Sequence, residues 1–227
     1  MKEPAFVDLA ALVFEENDKL ADEIRNELTK KGTLMINVMS SPGAGKTTLI
    51  QNVLKRISGK VKAAVVEGDV ESKMDADKIA ALGVPAVQLR TGGGCHLDAG
   101  MIKAGLDELK EYDPDLIIIE NIGNLVCPAE FDTGAHYCVT ILSIPEGDDK
   151  PVKYPLMYSV CDAIIISKID TKSVFDFDIE LAEKRASKLN PNIKFFHVSA
   201  KTGEGMDFLT DKLLSLIEEA KKAAENG

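Results

Sequence analysis

The chain is poor in cysteine and lacks an excess of positive charge. Lysine and arginine together number 27 against 37 aspartates and glutamates, which gives a net charge of −10. Proteins that bind nucleic acids or anionic membrane surfaces need a basic surface, so this balance argues against both kinds of partner. The four cysteines come without an apolar signal segment near Met1. We therefore expect reduced thiols and a cytoplasmic location.

Long apolar runs are also missing. Apolar stretches such as Leu116–Ile119 have the length of strands and are too short to span a bilayer. The composition, 45% hydrophobic and 28% charged, is that of an ordinary folded protein. A chain of 227 residues is long enough to bury the core of one large domain.

Apolar segments of strand length alternate with amphipathic helical patterns along the chain. Strands are predicted at Leu34–Met39, Val61–Val66, Pro85–Leu89, Leu116–Glu120, Tyr137–Leu142, Ala163–Ser167 and Lys194–Val198. Helices are predicted at Phe6–Lys31, Thr47–Ile57, Met74–Leu82, Asp98–Tyr112, Ile179–Leu189 and Met206–Ala224. This alternation predicts an α/β fold with a mainly parallel sheet covered by helices on both faces. The segment Pro145–Pro151 is the most loop-like stretch.

The loop after the first strand has the chemistry of a triphosphate site. Glycines let successive backbone N–H groups turn towards an anion, and the following helix adds its positive N-terminal end. Lys46 is expected to reach the β- and γ-phosphates, and the Thr47 hydroxyl to ligate Mg²⁺. The predicted phosphate-binding residues are Gly43, Ala44, Gly45, Lys46, Thr47 and Thr48. The usual pattern has glycine where this chain has Ser40. We expect residues 1–31 to form a helical extension packed on a P-loop domain of residues 32–227.

Two later strand ends favour guanine over adenine as the base. The carboxylate of Asp170 can accept hydrogen bonds from N1–H and the exocyclic amine of guanine, a donor pair that adenine lacks. The stem of Lys168 would cover one face of the base. Ser199 and Ala200, after the last strand, offer a second base contact. Ser167 stands where asparagine is usual, which predicts a weaker tie between the base loop and the P-loop.

Acidic residues near the γ-phosphate are expected to serve Mg²⁺ and the attacking water. Glu120 ends a buried strand, where a metal or metal-bound water would justify its charge, and Gly123 follows with an N–H for the γ-phosphate. Asp69 ends the second strand, and Asp75 lies a little further on. The predicted catalytic residues are Lys46, Thr47, Asp69 and Glu120. No histidine or glutamine is placed to orient the water, so we expect slow intrinsic hydrolysis.

Two loops carry ligands suited to a soft metal ion. Cys95 and His96 follow three glycines, and Cys127 lies seven residues beyond Glu120. Thiolate and imidazole suit zinc, nickel or copper. Three ligands are one short of a closed tetrahedral site, which predicts either an exchangeable position or ligands from a second subunit. The other cysteines and histidines are expected to be structural or surface residues: Cys138, Cys161, His136 and His197.

Three segments make the sequence recognisable. Gly93–Ala99, Glu120–Ala129 and Pro145–Pro151 resemble the HypB family, GTPases that assist nickel insertion into [NiFe] hydrogenase. The resemblance runs from Met35 to Gly205 and identifies the chain as a member of the SIMIBI class of P-loop GTPases and of its G3E family. Some members carry an N-terminal Cys-x-x-Cys-Gly-Cys motif or a histidine-rich tract, whereas residues 1–94 here contain neither cysteine nor histidine.

The resemblance implies a protein that dimerises with GTP and Mg²⁺ bound. It also implies a Ni²⁺ or Zn²⁺ site at the dimer interface, built from Cys95, His96 and Cys127. The implied partners are a HypA-type nickel chaperone and the hydrogenase large-subunit precursor. Two hypotheses follow: loss of the γ-phosphate moves Glu120 and thereby a metal ligand on the same segment, and Lys153 approaches the nucleotide of the partner subunit.

Three alternatives stay open at this point. A urease-type accessory GTPase would share the nucleotide motifs, but its metal motif resembles Cys-Pro-His, whereas Cys95 and His96 are adjacent. An ATP-dependent partitioning or assembly ATPase often has a further lysine near the start of the P-loop, where this chain has Ser40 and Ser41. A dimeric scaffold with a purely structural zinc is the third.

Overall fold

Seven parallel strands form one sheet at the centre of the molecule. The computed structural model describes residues 9–69 and 79–226, apart from the side chains of residues 9–12 and of Asp69. The strands are β1 (Leu34–Ser40), β2 (Ala63–Asp69), β3 (Ala86–Arg90), β4 (Leu116–Gly123), β5 (Tyr137–Ser143), β6 (Ala163–Ser167) and β7 (Lys194–Val198). Their order across the sheet is β3-β2-β4-β1-β5-β6-β7, and every pairing is parallel. The predicted α/β class is confirmed.

Helices cover both faces of this sheet. They are α1 (Leu9–Lys31), α2 (Lys46–Ile57), α3 (Ala99–Leu109), α4 (Lys150–Lys153), α5 (Pro155–Val160), α6 (Ile179–Leu189) and α7 (Met206–Asn226). Short 3-10 turns lie at Cys127–Ala129, Ile144–Glu146 and Ile169–Thr171. Among helices in the described ranges, none combines the length and apolar character that crossing a bilayer requires.

The alternation of side chains along β1 explains the two layers. Leu34, Ile36 and Val38 pack with α2 and α7 on one face of the sheet. Met35 packs with α1 and α3 on the opposite face, and Met39 packs there with α5 and α6. Successive residues of a strand point to opposite faces, so an unbroken apolar run is what a strand buried on both sides requires.

Helix α1 is packed into one of these layers. Its Ala21, Ile24 and Leu28 are at most 6% exposed and join the core cluster that contains α3. Gly32, at φ 69°, ends the helix and turns the chain into β1. The predicted helical extension thus contributes to the core of the described structure.

Strands β2 and β4 run further than predicted. β2 continues to Asp69 and β4 to Gly123, whereas the apolar runs ended at Val66 and Glu120. The polar residues remain in the sheet because neighbouring strands pair with them, as Glu67 does with Glu120. The predicted helix Met74–Leu82 lies mostly outside the described residues.

The segment Pro145–Pro151 is more regular than the predicted loop. It includes part of the 3-10 turn Ile144–Glu146 and the start of α4, and α5 follows although no helix was predicted there. Proline stands in the first turn of all three elements, where its missing N–H costs no hydrogen bond. A capping box between Ser143 and Glu146 adds a second start signal.

His136 joins the start of β1 to α1. Its Nδ1 accepts a hydrogen bond from the Met35 backbone N–H at 3.0 Å, and its Nε2 lies 3.0 Å from Thr29 Oγ1. Burial, followed by the nearby charge of Arg25, lowers the pKa of His136 from its ordinary value of 6.5. The folded protein therefore holds this imidazole neutral, as an acceptor.

We expect His136 to make stability depend on pH. As the pH falls through 6.5 the unfolded chain gains a proton that the folded chain resists, so stability is lost between 6.5 and the lower folded pKa. Urea unfolding at several pH values should show a steeper decline for wild type than for His136→Asn, whose amide oxygen accepts the same bond without titrating. Parallel declines in the two proteins would contradict this assignment.

Candidate functional site

The P-loop connects β1 to α2 and has the form that the sequence predicts. Gly43 and Gly45 adopt φ values of 77° and 101°, which side chains with a Cβ rarely reach. Gly45 caps α2, whose first residue is Lys46. The backbone turn therefore delivers the N-terminus of α2 to the carboxyl edge of the sheet, where an anion would bind.

Ser40, the atypical residue of the P-loop, is fully buried and bonds to the lysine. Lys46 Nζ donates to Ser40 Oγ at 3.1 Å, and Ser40 Oγ donates to the carbonyl of Ser41 at 2.7 Å. The serine thus supplies a hydroxyl beneath the lysine, a contact that glycine cannot make. The sequence showed that Ser40 departs from the usual P-loop pattern, but it did not predict the hydrogen bond with Lys46.

Glu120 lies against the P-loop near the end of β4. It is 3% exposed, and its Oε1 accepts a hydrogen bond from Thr47 Oγ1 at 2.7 Å. A hydroxyl next to a carboxylate is a donor set that suits Mg²⁺. Glu67, equally buried and paired with Glu120 in the sheet, is a second acid at this place and belongs to the same strand end as Asp69. Asp75 and the side chain of Asp69 lie outside the described residues.

Gly123 brings the end of β4 into contact with the P-loop. A Cβ at this position would stand 3.0 Å from Pro42 Cα and 3.1 Å from Pro42 N. Any larger residue would push the two segments apart. The absence of a side chain therefore permits the close approach that a shared phosphate site needs.

A cleft of about 290 Å³ opens beside the P-loop, between residues 167–171 and the loop after β7. Lys168 lies across it with Nζ donating to the carbonyl of Gly43 at 2.8 Å. Asp170 Oδ1 accepts a hydrogen bond from Ser199 Oγ at 2.6 Å, which fixes the carboxylate. Lys168 takes a left-handed φ of 58°, a strained conformation that is often found at ligand sites. Ala200 also lines this cleft.

The two serines of this region form hydrogen bonds through their side chains. Ser167 Oγ donates to the carbonyl of Ala44 at 3.2 Å, so the base loop remains tied to the P-loop without the usual amide. The backbone N–H of Ser199 is bonded to the carbonyl of Glu204, and its hydroxyl is what reaches Asp170. Ser199 therefore orients the acid through its side chain.

Glu146 supports the P-loop from the end of β5. Its Oε2 accepts hydrogen bonds from Ser143 N at 2.9 Å and Ser143 Oγ at 2.6 Å, while its Oε1 accepts from Ser41 Oγ. Sequence reasoning missed this residue, because a glutamate in a loop-like segment gives no sign of a distant serine. Lys153 lies on α4, where it pairs with Asp149 at 2.6 Å and is largely exposed.

The three soft ligands come together at the same edge of the sheet. Ligand atoms of Cys95, His96 and Cys127 all lie within 4.8 Å of one another. A hydrogen bond with the Cys127 side chain, followed by desolvation, raises the pKa of the Cys95 thiol. Two cysteines and one histidine at this spacing have the donor chemistry of a zinc or nickel site.

The remaining sulfur and imidazole groups lie apart from this cluster. Cys161 is fully buried, and burial raises the pKa of Cys138 to about 12, so both behave as apolar side chains. His197 pairs with Glu183 at 2.6 Å. His136 is bonded to Met35. Each of these four groups is therefore buried or bonded within the fold, away from the three clustered ligands.

Two asparagines of the β4 end bond the loop that carries Cys95 and His96. Asn121 Oδ1 accepts from the backbone N–H of Leu97 at 3.3 Å, and Asn124 Nδ2 donates to the carbonyl of Cys95 at 3.2 Å. The segment that begins at Glu120 in the phosphate site therefore contacts both sides of the Cys-His pair. Sequence reasoning did not single out either asparagine.

Comparison with known proteins agrees with this geometry. The family described as "CobW/HypB/UreG, nucleotide-binding domain" matches residues 34–197. The chain is 42% identical over 207 residues to the hydrogenase maturation factor HypB of Escherichia coli strain K12, covering 91% of this chain and 71% of that protein. It belongs to the HypB family.

Other HypB proteins match over almost their whole length. The hydrogenase/urease maturation factor HypB of Helicobacter pylori strain 26695 is 40% identical over 212 residues, covering 92% of this chain and 87% of that protein. The crystal structure of HypB from Helicobacter pylori in complex with nickel superposes with a TM-score of 0.85 at 41% identity, covering 90% of this chain and 96% of that one. HypB from Archaeoglobus fulgidus gives a TM-score of 0.82 at 39% identity, covering 89% and 99%.

The fold extends beyond HypB proteins. The signal recognition particle receptor FtsY of Elizabethkingia anophelis superposes with a TM-score of 0.54 at 18% identity, covering 88% of this chain and 68% of that one, a likeness of fold alone. The family match itself supports nucleotide hydrolysis in general.

We predict that Glu146→Ala weakens nucleotide binding about tenfold, because hydrogen bonds to a charged group that position Ser41 are lost. Calorimetry with GDP measures the affinity. Glu218→Ala, an exposed glutamate on α7, is the matched control and should bind as wild type does. Equal GDP affinities in all three proteins would show that Glu146 has no part in holding the P-loop.

Proposed function

We propose that this chain is a GTP-hydrolysing metallochaperone that assists nickel insertion into [NiFe] hydrogenase. The observation that carries the proposal is the Cys95–His96–Cys127 cluster beside the end of the strand that holds Glu120 at the P-loop. One strand end serves both groups, so a nucleotide switch and a metal cargo share a mechanical link. The same proposal is supported by the Escherichia coli relative, a hydrogenase maturation factor, and by the Helicobacter pylori HypB structure, which is in complex with nickel.

Guanine is the base that the cleft beside the P-loop suits. The carboxylate of Asp170, held by the Ser199 hydroxyl, accepts the two donors on the Watson–Crick edge of guanine. The ammonium of Lys168 donates to the P-loop carbonyl of Gly43, and its aliphatic stem would then cover one face of the base. Ala200 lines the same cleft.

Mg²⁺ fits the pair formed by Thr47 and Glu120. When bound, the ion would neutralise charge on the β- and γ-phosphates. Lys46 and the N-terminus of α2 stabilise the same charges from the protein side. Asp69 and Asp75 remain proposed as further acids near the ion. Slow intrinsic turnover remains our expectation.

The cargo site is proposed to be completed by a second copy of the chain. Three ligands leave a tetrahedral or square-planar ion one short, and Cys95 is exposed. A symmetric dimer would bring two such clusters together. Lys153, exposed on α4, is proposed to reach the nucleotide of the partner subunit. The proposed partners are a HypA-type nickel chaperone and the hydrogenase large-subunit precursor.

The link between nucleotide and metal runs through the β4 end. Loss of the γ-phosphate releases Glu120 and Gly123, and Asn121 and Asn124 pass the movement to the backbone on both sides of Cys95 and His96. Affinity for the metal then differs between the GTP and GDP states, and the coupling is reciprocal.

Urease is a second recipient that one relative favours. The Helicobacter pylori protein is named a hydrogenase/urease maturation factor and is 40% identical to this chain. Nickel transfer to each apoenzyme, compared side by side, would separate the two recipients.

Asp170→Asn should change the base that is bound. The amide can donate to the C2 carbonyl of xanthine, but it lacks the second acceptor for guanine, so we expect the preference for GDP over XDP to fall about a hundredfold. Competition binding with labelled GDP and XDP measures this, with Asp176→Asn, an exposed acid outside the cleft, as the control. Unchanged preference in Asp170→Asn would place the base elsewhere.

Nickel affinity is expected to differ at least about fivefold between the GDP state and the state with a non-hydrolysable GTP analogue. Chelator competition measures affinity, and sedimentation measures the dimer in the same samples. Cys95→Ala should lose tight nickel binding, whereas Cys138→Ala, a thiol outside the cluster, should retain it. Equal affinity in both nucleotide states would refute the delivery mechanism and favour a structural metal in a dimeric scaffold.

A further inference from the structure

Helix α1 contacts both loops that carry the metal ligands. Asn17 Oδ1 accepts from the backbone N–H of Ala99 at 2.9 Å, three residues after His96. The Nδ2 of the same side chain donates to the carbonyl of Asp132 at 2.9 Å, five residues after Cys127. One asparagine thus uses its acceptor on one ligand loop and its donor on the other.

An aromatic stack leads from α1 to the imidazole ligand. The ring of Phe131 is stacked on His96, with centroids 3.8 Å apart and planes at 15°. Phe14 of α1 packs against the ring of Phe131, with centroids 4.9 Å apart. Stacking of this kind restricts the rotation of His96 about its side-chain bonds.

The segment after Cys127 is fastened to α1 at further points. Arg25 donates to the carboxylate of Asp132 at 2.5 Å and to the carbonyl of Ala135 at 3.1 Å. A Cβ at Gly134 would lie 2.8 Å from the carbonyl oxygen of Ala21, so only glycine allows this segment to rest on the helix backbone. These anchors lie further along α1 than Asn17 and hold the helix independently of it.

We propose that α1 is a strap that positions the metal ligands, with Asn17, Phe14 and Phe131 as its positioning residues. This role for α1 presupposes the proposed metal site of Cys95, His96 and Cys127. Groups that orient metal ligands from behind raise affinity because the ligands are ordered before the ion arrives. Without the strap the two loops would lose these contacts, while the bonds from the β4 end would remain.

The test is Ni²⁺ and Co²⁺ binding by the full chain, measured by chelator competition and by the charge-transfer and ligand-field absorption of the bound ion. We expect Asn17→Ala and Phe131→Leu each to weaken binding about tenfold and to change the Co²⁺ spectrum. Phe131→Tyr keeps the stacked ring and should restore both. GDP affinity, which depends on residues elsewhere, should stay the same in every variant.

Matched controls separate the strap from a general loss of stability. Asn26→Ala removes an exposed asparagine from the same helix, and Phe208→Leu removes an exposed phenylalanine from α7; both should bind metal as wild type does. Thermal melting identifies a variant that fails to fold, in which case the Phe131 pair decides. Wild-type affinity and spectrum in Asn17→Ala and Phe131→Leu would overturn the strap.

Cys127→Ala distinguishes failure of the strap from failure of the metal site. If wild type binds nickel, Cys127→Ala does not, and the strap variants match wild type, only the strap is wrong. If Cys127→Ala binds nickel as wild type does, the metal site itself is wrong and the strap falls with it.

Discussion

Strands β1 and β4 lie side by side and parallel at the centre of the sheet, and their pairing decides where the chemistry can occur. The register places Ser40 opposite Gly123, so the P-loop and the β4 end leave the sheet at the same height. Thr47 can then bond to Glu120, and Gly123 can touch Pro42. A parallel sheet is the arrangement that gathers strand ends in this way.

Much of this arrangement could be predicted from local patterns. Apolar runs located the seven strands of the described structure. Residue chemistry selected Asp170, Glu120 and the Cys-His-Cys set, which lie at the carboxyl edge of the sheet because each stands near or beyond the carboxyl end of a strand. The support of these residues was not predictable. Glu146 bonds to Ser41 and Asn17 to Asp132 across more than 100 residues, and a polar side chain carries no local sign of which distant backbone it will meet.

The predicted boundaries of helices and strands were wrong in segments that contain polar residues or proline. β2 and β4 ran on because neighbouring strands supplied hydrogen bonds to residues of low strand preference. The helices around Pro151 and Pro155 formed because proline at a helix start loses nothing. In both places, interactions with neighbouring segments decided the structure, whereas the composition of the segment alone predicted a loop.

The open position of Cys95 has a consequence for how an ion would leave. Cys95 is exposed, so an incoming donor could approach it while His96 and Cys127 would still hold the ion that we propose for this cluster. If the cluster holds an ion as proposed, exchange could proceed one bond at a time, through an intermediate in which both proteins supply ligands. A fully enclosed site would have to open before the ion could leave. An exposed ligand would therefore lower the affinity for the ion but raise the rate of its transfer.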